Sequence, residues 1–124
     1  MKHSILATAL AATLLLGAPA QSQSLIAEYS AFIGASALTN SNGAALNQPW
    51  QVIRQDRANV HRFGIRQDGD DWDPIFGDFG ARGRLEALIR AGHISGAAAA
   101  AILRGNVRLL VRVFGSGTVP TRVE

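Results

Sequence analysis

The densest chemistry in this chain lies in one stretch, Pro49-Trp50-Gln51-Val52-Ile53-Arg54-Gln55-Asp56-Arg57-Ala58-Asn59-Val60-His61-Arg62-Phe63. Read as a helix at about 100° per residue, it turns Val52, Ile53, Val60 and Phe63 toward one sector and sets Asp56 in the middle of that apolar stripe. An unpaired carboxylate is costly to bury there, so the pattern calls for a cationic partner, and Arg108 and Arg112 on a later strand are the candidates for a buried ion pair with Asp56. Trp50, Arg54, Arg57 and His61 share a neighbouring sector. Two guanidinium forks, an aromatic plane and an imidazole on one face suit phosphate, carboxylate or sugar-acid groups, which makes these four the candidate binding face for an anionic partner. Asp56 and His61 point about 140° apart, which excludes a base-and-orienter pair between them within the helix.

The run Asp68-Gly69-Asp70-Asp71-Trp72-Asp73 gathers four carboxylates but misses the calcium-loop template. Counted from Asp68, the fifth position is Trp72 and the sixth is Asp73, where a glycine is required. The expectation is a solvated acidic loop, without calcium, in which losing one carboxylate costs little. Cysteine is absent, so thiol catalysis is excluded. Beyond the first twenty residues the only histidines are His61 and His93, neither with a glutamate at metalloprotease spacing, so no metal site is assigned. No Gly-x-Ser-x-Gly elbow and no glycine-rich phosphate loop is present. No catalytic residue and no cofactor follow from the sequence. The enzymatic alternative is a small hydrolase using Asp56 with His93 or an aspartate of the 68–73 loop.

These residues are placed by a chain that begins with a secretory layout: Lys2 and His3, an uncharged apolar run from Ile5 to Leu16, then Gly17-Ala18-Pro19-Ala20. About twelve apolar residues are too few to cross a hydrocarbon core roughly 30 Å thick. The expectation is a cleaved signal peptide over 1–20 and a single small soluble domain over 21–124, periplasmic or secreted. No later segment reads as membrane-spanning. The 12 Lys and Arg against 9 Asp and Glu shrink to a net of +2 once Lys2 is gone, and all the remaining basic residues are arginine. So small an excess does not call for nucleic acid, and the expected partner is an anionic envelope component or protein. A chain outside the cytoplasm that has no disulfide must rely on its hydrophobic core.

The pattern predicts strands over 25–33 and 107–114, with a third, proline-bearing edge strand over 118–123. In the first, Leu25, Ala27, Tyr29, Ala31 and Ile33 would share a face; in the second, Val107, Leu109, Val111 and Val113 would do so. Helices are predicted over 49–63, 81–91 and 95–104, with Asp78 and Ser95 as N-caps and glycines at the exits. The third would bury Ala98, Ala99, Ile102 and Leu103. The second and third, joined by a few residues, would form an αα-hairpin. Two to three strands packed by three helices give a small α+β fold, with an all-α chain frayed at both ends as the alternative.

Overall fold

The computed structural model describes residues 23–92 and 94–124; the expected signal peptide and His93 lie outside the described residues. Three antiparallel strands, β1 (Ser24–Ile33), β2 (Val107–Ser116) and β3 (Val119–Val123), form one sheet in the order β1-β2-β3. Three helices, α1 (Pro49–His61), α2 (Phe79–Ala91) and α3 (Gly96–Arg104), cover one face of it. The fold is α+β, as the alternation and the helical spacings predict.

The inner face of the sheet consists of Tyr29, Ala31 and Ile33 from β1, paired with Val111, Leu109 and Val107 of β2. Each fully buried aliphatic side chain there contributes about 1.5–3 kcal/mol, which is how a cysteine-free domain of this size holds together. The predicted alternation fails only at the start of β1. A register shift between Leu25 and Ala27 inserts Ile26 as an extra residue, so Ile26 packs on the core and Leu25 is 51% exposed. β2 runs two residues further than expected and turns into β3 through Gly117, whose φ of +61° suits a tight hairpin. Pro120 sits on the edge strand, where a missing N–H disturbs no ladder.

α1 is the hub of the helical layer. Pro49 starts it in the first turn, and its stripe of Val52, Ile53 and Val60 is buried. Asp78 and Ser95 cap α2 and α3, accepting from the Ala81 N–H at 2.8 Å and the Ala98 N–H at 3.1 Å. The expected αα-hairpin does not form: α2 packs on α1 and β3, and α3 packs on α1. The reason lies in α3, where Ile102 is buried but Ala98 is exposed, so this alanine-rich helix has too little bulk to grip a second partner.

The two edges of the sheet differ. On the outer edge of β1, the Ser30 N–H donates to Asp71 Oδ2 at 2.9 Å, the Asp71 N–H donates to the Ser30 carbonyl at 2.8 Å, and the Phe32 N–H donates to Asp70 Oδ1 at 2.8 Å. The acidic loop therefore seals β1 in place of a strand. On the other side, β3 covers only the second half of β2, ending where the N–H and carbonyl of Arg112 pair with Glu124 at 2.9 Å each.

Candidate functional site

Two clusters of polar side chains flank α1. The first is built round Arg57, which is 0% exposed. Its Nε donates to Asp56 Oδ2 and its Nη1 to Asp73 Oδ2, both at 2.9 Å, and Nη1 also donates to the Asp71 carbonyl at 2.9 Å. Nη2 lies 2.8 Å from Asp56 Oδ2, out of line for a hydrogen bond, and 3.8 Å from Asp70 Oδ1. The guanidinium carbon stands 4.0 Å from the centre of the Tyr29 ring, a desolvated cation–π contact.

One cation thus faces three buried carboxylates, Asp56, Asp70 and Asp73. Asp73 is the best served: His61 Nε2 lies 2.7 Å from its Oδ2, and its Oδ1 accepts from the Ile75 and Phe76 N–H groups at 2.9 and 2.6 Å. Burial works against its charge, but the hydrogen bonds from His61, Phe76, Arg57 and Ile75 prevail and hold its pKa below the usual range. Asp56 has less support. Burial, together with the facing Asp70 carboxylate, outweighs Arg57 and pushes Asp56 up to about 7. Burial alone would lower the Arg57 pKa, but the acidic groups round it raise it instead. Burial also raises the Tyr29 phenol, whose hydroxyl makes no hydrogen bond among the described residues.

The partner of Asp56 is therefore its own neighbour, and neither Arg108 nor Arg112. Both of those point to the exposed face of the sheet, where Arg112 Nε reaches Glu28 at 3.2 Å and the Arg108 guanidinium lies against Gly69. Arg57 can fill the role because the 68–73 loop folds inward. Asp70 (6% exposed) and Asp73 (1%) are not solvated as expected, although Asp68 and Asp71 are. Among the described residues no group of three His, Cys, Asp or Glu side chains is arranged to hold a metal ion.

The four residues of the expected anion face do not act as one surface. Arg57 is enclosed, His61 turns to Asp73 and stacks edge-on to Trp72 at 5.6 Å, and half-buried Trp50 lies 5.7 Å from the Arg90 guanidinium. Only Arg54 opens onto a cavity, and there it forms the second cluster. A space of about 250 Å³ between α1 and α2 is bordered by Arg54, Arg62 and Arg82, with Gln51 and Gln55 beside them and Phe63 and Phe79 exposed at its walls. Glu86 is the one carboxylate lining it, and it pairs with Arg54. Arg54 and Arg62 lie 4.9 and 5.0 Å from the Phe79 and Phe63 rings. Arg82 is buried and donates to the Phe76 carbonyl at 3.1 Å. Burial, and then the positive charge of Arg54 and Arg62, pulls the Arg82 pKa below its usual value despite Asp78.

Arg62 and Arg82 were not singled out in the sequence, though signals for both are there. Arg54, Ala58 and Arg62 repeat at intervals of four along α1, and Arg82 stands four residues before Glu86 on α2. What the sequence does not show is that these two rows face each other.

Among the described residues, fold and site together define a small two-layer α+β domain with one arginine enclosed by carboxylates and one cavity in which arginines outnumber carboxylates. Compared with protein-family profiles, with curated proteins and with solved structures, the chain matches none.

Proposed function

We propose that the protein is a non-enzymatic binding module, exported to the periplasm or beyond, whose ligand is an anionic group on an envelope component or protein. The observation that carries this reading is the excess of three guanidinium groups over one carboxylate in the α1–α2 cavity. Guanidinium forks take planar or tetrahedral oxyanions through paired N–H donors, and a partly desolvated setting strengthens each contact. The Gln51 and Gln55 amides add neutral donors, and Phe63 and Phe79 offer apolar walls for the body of the ligand. An arriving anion competes with Glu86 for Arg54 and meets Arg62 without an ion-pair partner among the described residues. The hydrolase alternative does supply Asp56 with a second titratable group, Asp70, but at 3% exposure Asp56 offers a substrate no approach.

Titration with inorganic phosphate, followed through the arginine Nε–H resonances, tests the reading. Arg54, Arg62 and Arg82 are expected to shift saturably while Arg57 stays fixed, and Arg62→Ala should weaken binding about tenfold, the equivalent of roughly 1.4 kcal/mol. A response that never saturates, or that persists unchanged in Arg62→Ala, overturns it.

A further inference from the structure

The arginine cavity carries more than its charge explains. Two of the large apolar side chains that the protein leaves in water, Phe79 at 69% exposure and Phe63 at 42%, both border it. They come from separate elements, Phe79 opening the first turn of α2 and Phe63 lying just beyond the end of α1. Each stands beside a guanidinium, the Phe79 ring 4.9 Å from Arg54 and the Phe63 ring 5.0 Å from Arg62. Exposed apolar residues scattered singly need no explanation, but two aromatic rings at one opening, each with a cation at nearly the same distance, form a pattern. A small hydrophilic anion satisfies only half of it. Free phosphate, or the carboxylates of an acidic peptide, would pair with Arg62 and compete for Arg54 while leaving both rings in water.

Resting on the reading of this cavity as an anion site, we infer that its ligand is the phosphate of a phospholipid in an anionic membrane surface, on which the domain docks with Phe63 and Phe79 turned into the lipid. Such a surface offers both chemistries at once, because its phosphates lie directly above the glycerol and acyl carbons. Proteins at that boundary sink apolar side chains about 5–10 Å into it while their cations stay at the phosphates, and ring-to-guanidinium separations of 4.9 and 5.0 Å suit that layering. The charge balance says which surface. Arg54, Arg62 and Arg82 face Glu86 inside the cavity, and Asp78, next to Phe79, spends its carboxylate on capping α2 through the Ala81 N–H. The positive remainder is small, so the surface must bring a negative charge of its own, to which each nearby arginine adds attraction. Docking therefore needs the rings and the arginines together.

The probes are vesicles of phosphatidylglycerol, vesicles of phosphatidylcholine and inorganic phosphate, each added to the full chain and to variants that differ from it only at the positions named. Differences among them then report the cavity. Phe63→Ser combined with Phe79→Ser should weaken co-sedimentation with phosphatidylglycerol vesicles about tenfold, while the phosphate-induced shifts of Arg54, Arg62 and Arg82 stay as in the parent. Phe63→Leu combined with Phe79→Leu keeps the apolar bulk without the aromatic face and should bind those vesicles as the parent does. Arg62→Ala should weaken vesicles and phosphate alike. Unchanged vesicle binding by the serine variant overturns the inference. A leucine variant as weak as the serine one also overturns it, by assigning the rings to steadying the arginines. So does a serine-variant loss of the same size on phosphatidylcholine, because the charge of the surface would then play no part. Failure of phosphate to shift the arginines of the parent is a separate result, which removes the anion site itself and the lipid with it.

Discussion

Arg57 and the trio of Arg54, Arg62 and Arg82 are the same side chain in opposite electrostatic company. Arg57 is enclosed by three carboxylates and an aromatic ring; the cavity bordered by the trio is lined by one carboxylate, Glu86, which pairs with Arg54. The first arrangement leaves no attraction for a further anion, and burial together with its acidic excess raises the Asp56 pKa to about 7. The second leaves a positive remainder beside an accessible space. Local charge balance, more than exposure or the number of arginines, separates a residue that builds the fold from residues that can bind.

The comparison is broken most directly at Arg57. Arg57→Ala leaves Asp56, Asp70 and Asp73 buried together without a cation, at an expected cost of about 3–5 kcal/mol. In a domain whose total stability is of the order of 5–10 kcal/mol, chemical denaturation should find it largely or wholly destabilised. Arg62→Ala, by contrast, should lie within about 0.5 kcal/mol of the parent. Equal losses in the two variants would dissolve the distinction.

Next in size is Asp70. Its carboxylate accepts from the Phe32 and Gln67 N–H groups, at 2.8 and 3.0 Å, so Asp70→Ala strands two backbone donors and should cost about 2 kcal/mol. Asp68→Ala, in the same loop but exposed, should be nearly silent. The same denaturation experiment decides, and a silent Asp70→Ala would return the loop to solvent.

A smaller effect concerns pH. Because the folded-state pKa of Asp56 is raised, its neutral form is favoured by folding. The stability it contributes is fully present below about 3.8, and it is lost as pH rises through about 7. Asp73, held low, works in the opposite sense and loses its contribution as pH falls through its folded value. Relative to the parent, Asp56→Asn should therefore gain stability steadily from pH 4 to pH 7.5 in thermal melts. Parallel curves across that window would mean that Asp56 carries no proton in the folded state.

The smallest effect is expected for Tyr29→Phe, which removes a buried hydroxyl that has no partner and keeps the ring beneath Arg57. Its melting temperature should match or slightly exceed the parent's. A loss above about 1 kcal/mol would show that the hydroxyl is engaged.

The fold was largely legible because its determinants are local. Alternation in 107–113, the caps Asp78 and Ser95 and the proline at the start of α1 each act over a few residues, and the structure follows them closely. The burial of Asp56 was also written in its helical phase. Its partner was not, because nothing within α1 shows that residues 70–73 return to Arg57, and a loop rich in aspartate and glycine reads as solvated unless a buried cation claims it. The arginine cavity was hidden for the same reason: each row is visible on its own helix, but their meeting is a matter of how α2 crosses α1. The slip at Leu25 is of another kind, since a single bulged residue reverses every side chain before it without leaving a mark in composition.

The sheet joins the first strand of the chain to the last two. Glu28 and Arg112 meet across 84 residues, and Ser30 waits 41 residues for Asp71. During synthesis at roughly 5–20 residues per second, β1 stands alone for about 4–17 s before β2 exists to cover it. Long-range pairing of this kind is slow to nucleate. Closure of the sheet therefore waits for β2 and β3, and the core beneath it completes only when β2 pairs with β1 and β3 with β2.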